Sequence, residues 1–272
     1  MNVLFFHGGP GLNSNPEKNI LTEKFSTNGY SLKCWNEPSV LRSTNKNNQE
    51  VTYENYLNSA ENFLLENYDG NPQIIIGHSF GVHAVLHLAK TQPQKIKQIV
   101  VVASNLSVQD TDLNTFSFSA ADFEKHQESE NAKSLLSIID QYTGLFDENT
   151  QKGFTIVSQN PRLFNSYWYN KELMPQFLSH YTSPEYTLDV ESYFTIRKTW
   201  NEHENNEKSS IPVIAIYGKH DIIVTNQKER LIVKEKFLNA NFYEFEYSSH
   251  YPHIEETDEL LHLLKKSISI TQ

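Results

Sequence analysis

A serine hydroxyl attacks a carbonyl at neutral pH only when a base removes its proton, and an imidazole in that role is held in the right tautomer by a carboxylate. Three short segments of this 272-residue sequence can supply those groups: Gly77-His78-Ser79-Phe80-Gly81, Gly218-Lys219-His220-Asp221 and Ser248-Ser249-His250-Tyr251-Pro252. The first matches G-x-S-x-G, in which small flanking residues let a strand turn abruptly into a helix and push the serine hydroxyl into a cleft. Ser79 is therefore the candidate nucleophile, Asp221 the acid and His250 the base, in the chain order serine, acid, histidine. The competing reading of Asp221 is a turn residue bonding its own backbone, but no other carboxylate ends a strand at that point in the order. His253 competes with His250. The latter lies nearer the preceding strand, whereas His253 starts the approach to the last helix, where Glu255 caps the helix or orients the loop.

Acyl transfer also needs N–H donors aimed at the oxygen that becomes negative. Phe80, directly after the nucleophile, supplies one, and the loop His7-Gly8-Gly9-Pro10-Gly11 supplies the other from Gly9, with Gly8 the alternative. His7 reads as an anchor of that loop. His83 and His87 have the i, i+4 spacing of a metal pair, but no glutamate accompanies them, so packing or exposure is their expected role. No metal site is expected, and the chemistry requires no cofactor.

Such groups need strand ends to carry them. Short apolar runs alternate with helical patterns at both ends of the chain, the signature of a parallel sheet covered on both faces. Strands are expected at residues 2–6, 30–35, 73–77, 97–103, 212–217 and 241–247. The second, with Ser31 and Lys33 alternating against Leu32 and Cys34, suits an exposed edge. Helices are expected at 16–28, from 52 to 68, at 80–91, 227–237 and 257–268, and residues 36–51 read as a polar surface loop. Between residues 105 and 210 the alternation breaks down, leaving helical fragments at 133–142 and 188–200. A stretch that long is not a structureless loop inside a compact domain. The expected fold is thus α/β, a mostly parallel sheet of about six strands with helices on both faces. Residues 1–104 and 211–272 form its core, and 105–210 form a mainly helical lid inserted before the last two strands.

Composition narrows the partners. Thirty-three Asp and Glu against 23 Lys and Arg give a formal charge of −10, which disfavours nucleic acid and anionic membranes and leaves a small-molecule substrate. A monomer or homodimer is expected. The single cysteine, Cys34, rules out an internal disulfide framework and reads as half-buried in a strand. The longest apolar runs, residues 74–76 and 99–103, are far too short to span a bilayer, and the first residues lead straight into a strand and the His7–Gly11 loop, so a cytoplasmic protein is expected.

Taken together, these four segments resemble the α/β-hydrolase superfamily over residues 1–104 and 211–272. The resemblance implies a serine hydrolase with Ser79, Asp221 and His250 as its triad and Gly9 and Phe80 as its oxyanion donors. The His7–Gly11 loop also looks like that of the proline iminopeptidase branch, which removes amino-terminal residues from peptides. That branch usually has glycine and tryptophan flanking the serine, where this chain has His78 and Phe80, and its amine-recognising lid glutamates have only Glu172, Glu185, Glu191, Glu202 and Glu204 as candidates. The expected function is cleavage of a small carboxylic ester or amide through an acyl-enzyme on Ser79. The alternatives are an iminopeptidase-like aminopeptidase and, in another class, a non-catalytic small-ligand receptor. The aromatics Phe164, Tyr167, Trp168, Tyr169, Tyr193, Phe194 and Trp200 suggest an apolar lid pocket, with Trp168, Tyr169 and Trp200 chosen as substrate contacts.

Overall fold

Runs of β-branched and aromatic residues build the sheet, and the helices between them set its connections. The structure, a computed structural model, describes residues 1–42, 51–181, 189–200, 208–224 and 226–270. In chain order the first elements are β1 (Asn2–Phe6), α1 (Asn15–Thr27), β2 (Ser31–Trp35), α2 (Tyr53–Glu66), β3 (Gln73–His78), α3 (Gly81–Thr91) and β4 (Ile96–Val102). Helices α4 (Val108–Lys125), α5 (Ser129–Asp140), α6 (Glu148–Val157), α7 (Leu163–Ser166), α8 (Leu173–Ser179) and α9 (Val190–Trp200) follow, with no named strand among the described residues of this stretch. The chain then returns through β5 (Val213–Gly218), α10 (Asn226–Lys236), β6 (Ala240–Phe245), α11 (Pro252–Glu255) and α12 (Thr257–Ile270).

The six strands form one sheet in the order β2-β1-β3-β4-β5-β6, and every neighbouring pair is parallel. The expected fold class holds, with β2 on an edge. Strand β6 starts and stops earlier than the apolar pattern suggests. Its last residue, Phe245, accepts the N–H of Lys219, while the N–H of Tyr247 turns away to Glu256.

Successive strand residues point to opposite faces, and this splits the apolar residues into two cores. Leu4, Phe6, Ile75, Ile99, Val101 and Ala215 pack on the face covered by α2, α3 and α10. Val3, Phe5, Ile74, Ile76, Val100 and Ile214 pack under Leu21 and Phe25 of α1 and Leu260 and Leu264 of α12. Helix α2 begins where Thr52 accepts the N–H of Asn55 through its side chain, an N-cap that removes one orphan donor. With both faces covered, the functional groups are left to the carboxyl-terminal rim of the strands.

Candidate active site

Strand β3 ends at His78 and α3 begins at Gly81, so Ser79 and Phe80 make the whole turn. Ser79 adopts φ +50°, in the left-handed region that costs a non-glycine residue about 1–3 kcal/mol and persists only when its surroundings enforce it. Its N–H donates to the carbonyl of Val102 on β4 at 2.9 Å, and its carbonyl accepts from Val82 at 3.2 Å. A Cβ at Gly81 would lie 2.4 Å from the carbonyl oxygen of Phe6. Only glycine lets α3 start against the end of β1.

Asp221 follows β5 and uses its two oxygens differently. Oδ1 accepts the N–H groups of Ile223 and Val224, and Oδ2 accepts from His250 Nδ1 at 2.9 Å. One side chain thus makes both the turn bonds and the bond to the imidazole. The Asp221 carboxylate is wholly buried and the His250 ring nearly so. With Nδ1–H given to the carboxylate, Nε2 keeps its lone pair, the form a general base requires.

The His250 loop is held from several sides. Its N–H donates to the carbonyl of Tyr167 at 3.0 Å, and its own carbonyl accepts from His78 Nε2 at 2.9 Å. Glu255 accepts the N–H of Ser249 and those of Tyr169 and Asn170, so it orients the loop and ties it to the helical segment. A Cβ at Gly218 would fall 1.9 Å from the carbonyl oxygen of Ser249, so glycine is required where β5 passes this loop. His253 is fully buried, with its Nε2 3.7 Å from Glu17.

Ser79 and His250 line one cavity of about 190 Å³ together with Gly8, Gly9 and Phe80. They face it without a hydrogen bond between them, and such bonds commonly tighten only in the complex with substrate. His7 Nδ1–H donates to the carbonyl of Gly8 at 2.6 Å. Since a trans peptide points its N–H opposite to its carbonyl, that bond sets the direction of the Gly9 N–H. Neither the Gly9 nor the Phe80 N–H donates to a protein acceptor among the described residues. Burial lowers the His7 imidazole to about 4, so the ring stays neutral as it stacks on Trp35.

A clamp on the same loop lies in residues read from sequence as surface. The Gly11 N–H donates to Glu37 at 3.0 and 3.1 Å, and its carbonyl accepts the N–H of Asp189 at 2.9 Å. Arg42 sits between the two carboxylates, 3.9 Å from Glu37 and 3.6 Å from Asp189. Burial outweighs the guanidinium and pushes Glu37 up to about 8. Glu37 and Arg42 are buried because they reach inward to this loop, and Leu41 because it packs in the apolar core; residues 43–50 of the expected loop lie outside the described residues.

Helices α4, α6 and α9 supply the opposite wall. Arg197 and Asp112 form a buried bidentate pair at 3.2 and 2.8 Å, with Tyr193 and Tyr142 hydroxyls bonded to it. A wider chamber of about 530 Å³ shares Gly9, Leu12, Tyr167, Tyr181, Tyr193 and Tyr251 with the first, and Phe164 and Phe194 also line it. The three residues chosen from sequence as substrate contacts line neither. Trp168 is buried, stacked on Tyr251 at 4.5 Å. Trp200 sits beside the Arg197 guanidinium and the His83 ring. Tyr169 stacks on His220 at the surface. An aromatic-rich segment suggests an apolar pocket but not which of its rings reach it.

Other sequence candidates are placed as follows. His83 bonds the Tyr53 hydroxyl and the Asn105 carbonyl, and His87 bonds Glu61, so the two do not share a ligand. Glu172 and Glu191 are exposed, and Glu185, Glu202 and Glu204 lie outside the described residues.

Comparison with known proteins places this geometry in context. The family model described as alpha/beta hydrolase fold matches residues 2–257. The chain is 22% identical to a protein named probable aminopeptidase YbaC of Bacillus subtilis, over 93% of this chain and 84% of that protein. It is also 22% identical to a proline iminopeptidase of Saccharolobus solfataricus, over 98% and 84% respectively. Among solved structures it is similar to an esterase of Exiguobacterium antarcticum, with TM-score 0.62, 13% identity and coverage of 99% and 92%. An alpha/beta fold family hydrolase of Bacillus anthracis aligns with TM-score 0.61, 20% identity and coverage of 97% and 91%.

Proposed function

This chain belongs to the alpha/beta hydrolase fold family, and from that premise we propose that it is a serine hydrolase cleaving a small carboxylic ester or amide through an acyl-enzyme on Ser79. The carrying observation is that a strained serine at a strand-to-helix turn shares a cavity with a histidine whose Nδ1 is 2.9 Å from a buried aspartate. In this reading Ser79 Oγ attacks the carbonyl carbon while His250 Nε2 takes its proton. Asp221 stabilises the imidazolium, and the Gly9 and Phe80 N–H groups receive the oxyanion. The protonated His250 then gives its proton to the leaving alcohol or amine. Water, deprotonated by the same imidazole, releases the acid. Helices α4 to α9 act as the lid, and the wider apolar chamber takes the acyl or leaving group. A receptor without chemistry has no use for the strain at Ser79.

The test is a panel of p-nitrophenyl esters of short and medium acyl length beside prolyl and alanyl p-nitroanilides, with fluorophosphonate labelling read by mass spectrometry. Ester turnover and an adduct on Ser79 are expected; an adduct elsewhere, or none, removes the acyl-enzyme. The names of the two sequence relatives favour an aminopeptidase as second reading, and anilide turnover above ester turnover would support it.

A further inference from the structure

Behind the His250 loop, the first turn of α1, the residue before the nucleophile and α11 bring three buried side chains together. One donor atom from each of Glu17, His78 and His253 lies within 4.8 Å of the others. All three residues are at most 3% exposed. Glu17 Oε2 and both ring nitrogens of His253 have no hydrogen-bond partner, although buried polar groups are rarely left so. Glu17 Oε1 stands 3.7 Å from His253 Nε2, too far for a hydrogen bond. That separation is close to the roughly 3.4 Å expected between two donors each about 2.0–2.1 Å from one tetrahedral ion.

From this geometry we infer that Glu17, His78 and His253 bind a divalent metal ion of the zinc type. The donor set, two imidazoles and one carboxylate, is one that zinc takes. His78 gives its Nε2–H to the carbonyl of His250 at 2.9 Å, which leaves the lone pair on Nδ1. A ligating histidine characteristically donates its other N–H to a backbone carbonyl or carboxylate in this way. A buried carboxylate without a countercharge costs several kcal/mol, and a cation removes that cost. Glu17 and His78 also line the catalytic cavity, which gives the ion a way in and leaves a coordination position facing it. The ion is a positioning element: through His78 it fixes the carbonyl of His250, the residue whose ring serves the nucleophile.

The test needs no turnover, so its failure is separable from failure of the hydrolase reading. The full chain is equilibrated with Zn²⁺ by dialysis and its metal content measured, and Co²⁺ is used as a spectroscopic probe. One equivalent of Zn²⁺ per chain is expected, with Co²⁺ giving visible d–d bands of an imidazole–carboxylate site. Glu17→Gln and His253→Gln should each weaken binding at least tenfold, whereas His87→Gln should leave it unchanged. Zn²⁺ should raise the thermal midpoint of the wild-type chain and not of the two ligand variants. Substoichiometric Zn²⁺ and absent d–d bands in the wild-type chain would overturn the site whether or not the variants fold. So would loss of the ion in His87→Gln alone, or an infrared carboxylic-acid band from Glu17, which would put a proton where the ion is proposed.

Discussion

The cavity has two walls, and they hold their polar groups in different ways. On the strand-end rim, Gly9, Ser79, Asp221 and His250 all lie within five residues of a strand terminus, and hydrogen bonds from neighbouring main chain hold the turns around them. On the helical wall, Arg197 and Asp112 are 85 residues apart and meet only because the tertiary structure brings α9 and α4 to the same cavity. Rim groups are placed by covalent adjacency to the sheet; wall groups are placed by packing. Substitutions on the rim should therefore change turnover and spare stability, and substitutions on the wall should do the reverse.

The largest effect is expected at Ser79. Ser79→Ala should lower ester turnover by about 10⁴-fold or more while the thermal midpoint stays within a few degrees, because the turn remains held by the same backbone bonds. Retained turnover would end the comparison at once. Asp221→Asn should lower kcat by about 10³–10⁴-fold, since an amide can present its N–H to the imidazole and favour the wrong tautomer. It should still fold, because the amide oxygen can keep the bonds from Ile223 and Val224.

On the wall, Arg197→Met leaves Asp112 buried and unpaired and should cost about 3–5 kcal/mol in urea unfolding. The double change Arg197→Met with Asp112→Leu should recover part of that loss. Intact stability with abolished turnover would instead make this pair part of the chemistry.

The junction between the walls supplies a pH test. Glu229 on α10 accepts from the Ser104 hydroxyl and from the N–H groups of Leu106 and Ser107, where the chain leaves β4 for the helices. Burial outweighs these donors and pushes it up to about 6, above the ordinary glutamate value of about 4.3. A carboxyl raised on folding contributes stability that is fully present below its unfolded pKa and lost as pH rises through its folded one. Glu229 should thus contribute a decline of about 2 kcal/mol across roughly pH 4.5 to 6.5, on top of that from Glu37, so the wild-type chain should lose about that much more than Glu229→Gln over the same range. Urea midpoints measured across that range decide it.

The smallest effect is expected at Tyr169, which lies on the outside of the wall stacked on His220. Tyr169→Ala should leave KM unchanged and stability within about 0.5 kcal/mol. A rise in KM would restore it to the substrate site.

Local regularities account for what the sequence by itself determined. Six strands were legible because apolar runs and turn residues mark them without reference to distant partners, and they came out within a few residues of their observed ends. The strand-to-helix turn at Ser79 was legible for the same reason: it is one short segment with a strand before it and a helix after it. Sequence preferred His250 to His253 only for its nearness to the strand end; tertiary structure showed that His250 lines the cavity while His253 packs beside Glu17. Tertiary structure alone joined Glu37 and Arg42 to Gly11, brought Glu17 beside His78 and His253, and turned Trp168, Tyr169 and Trp200 away from the cavity. Those partners lie on different elements, tens to hundreds of residues apart, and periodicity within one element says that a side chain is buried but not what it meets there.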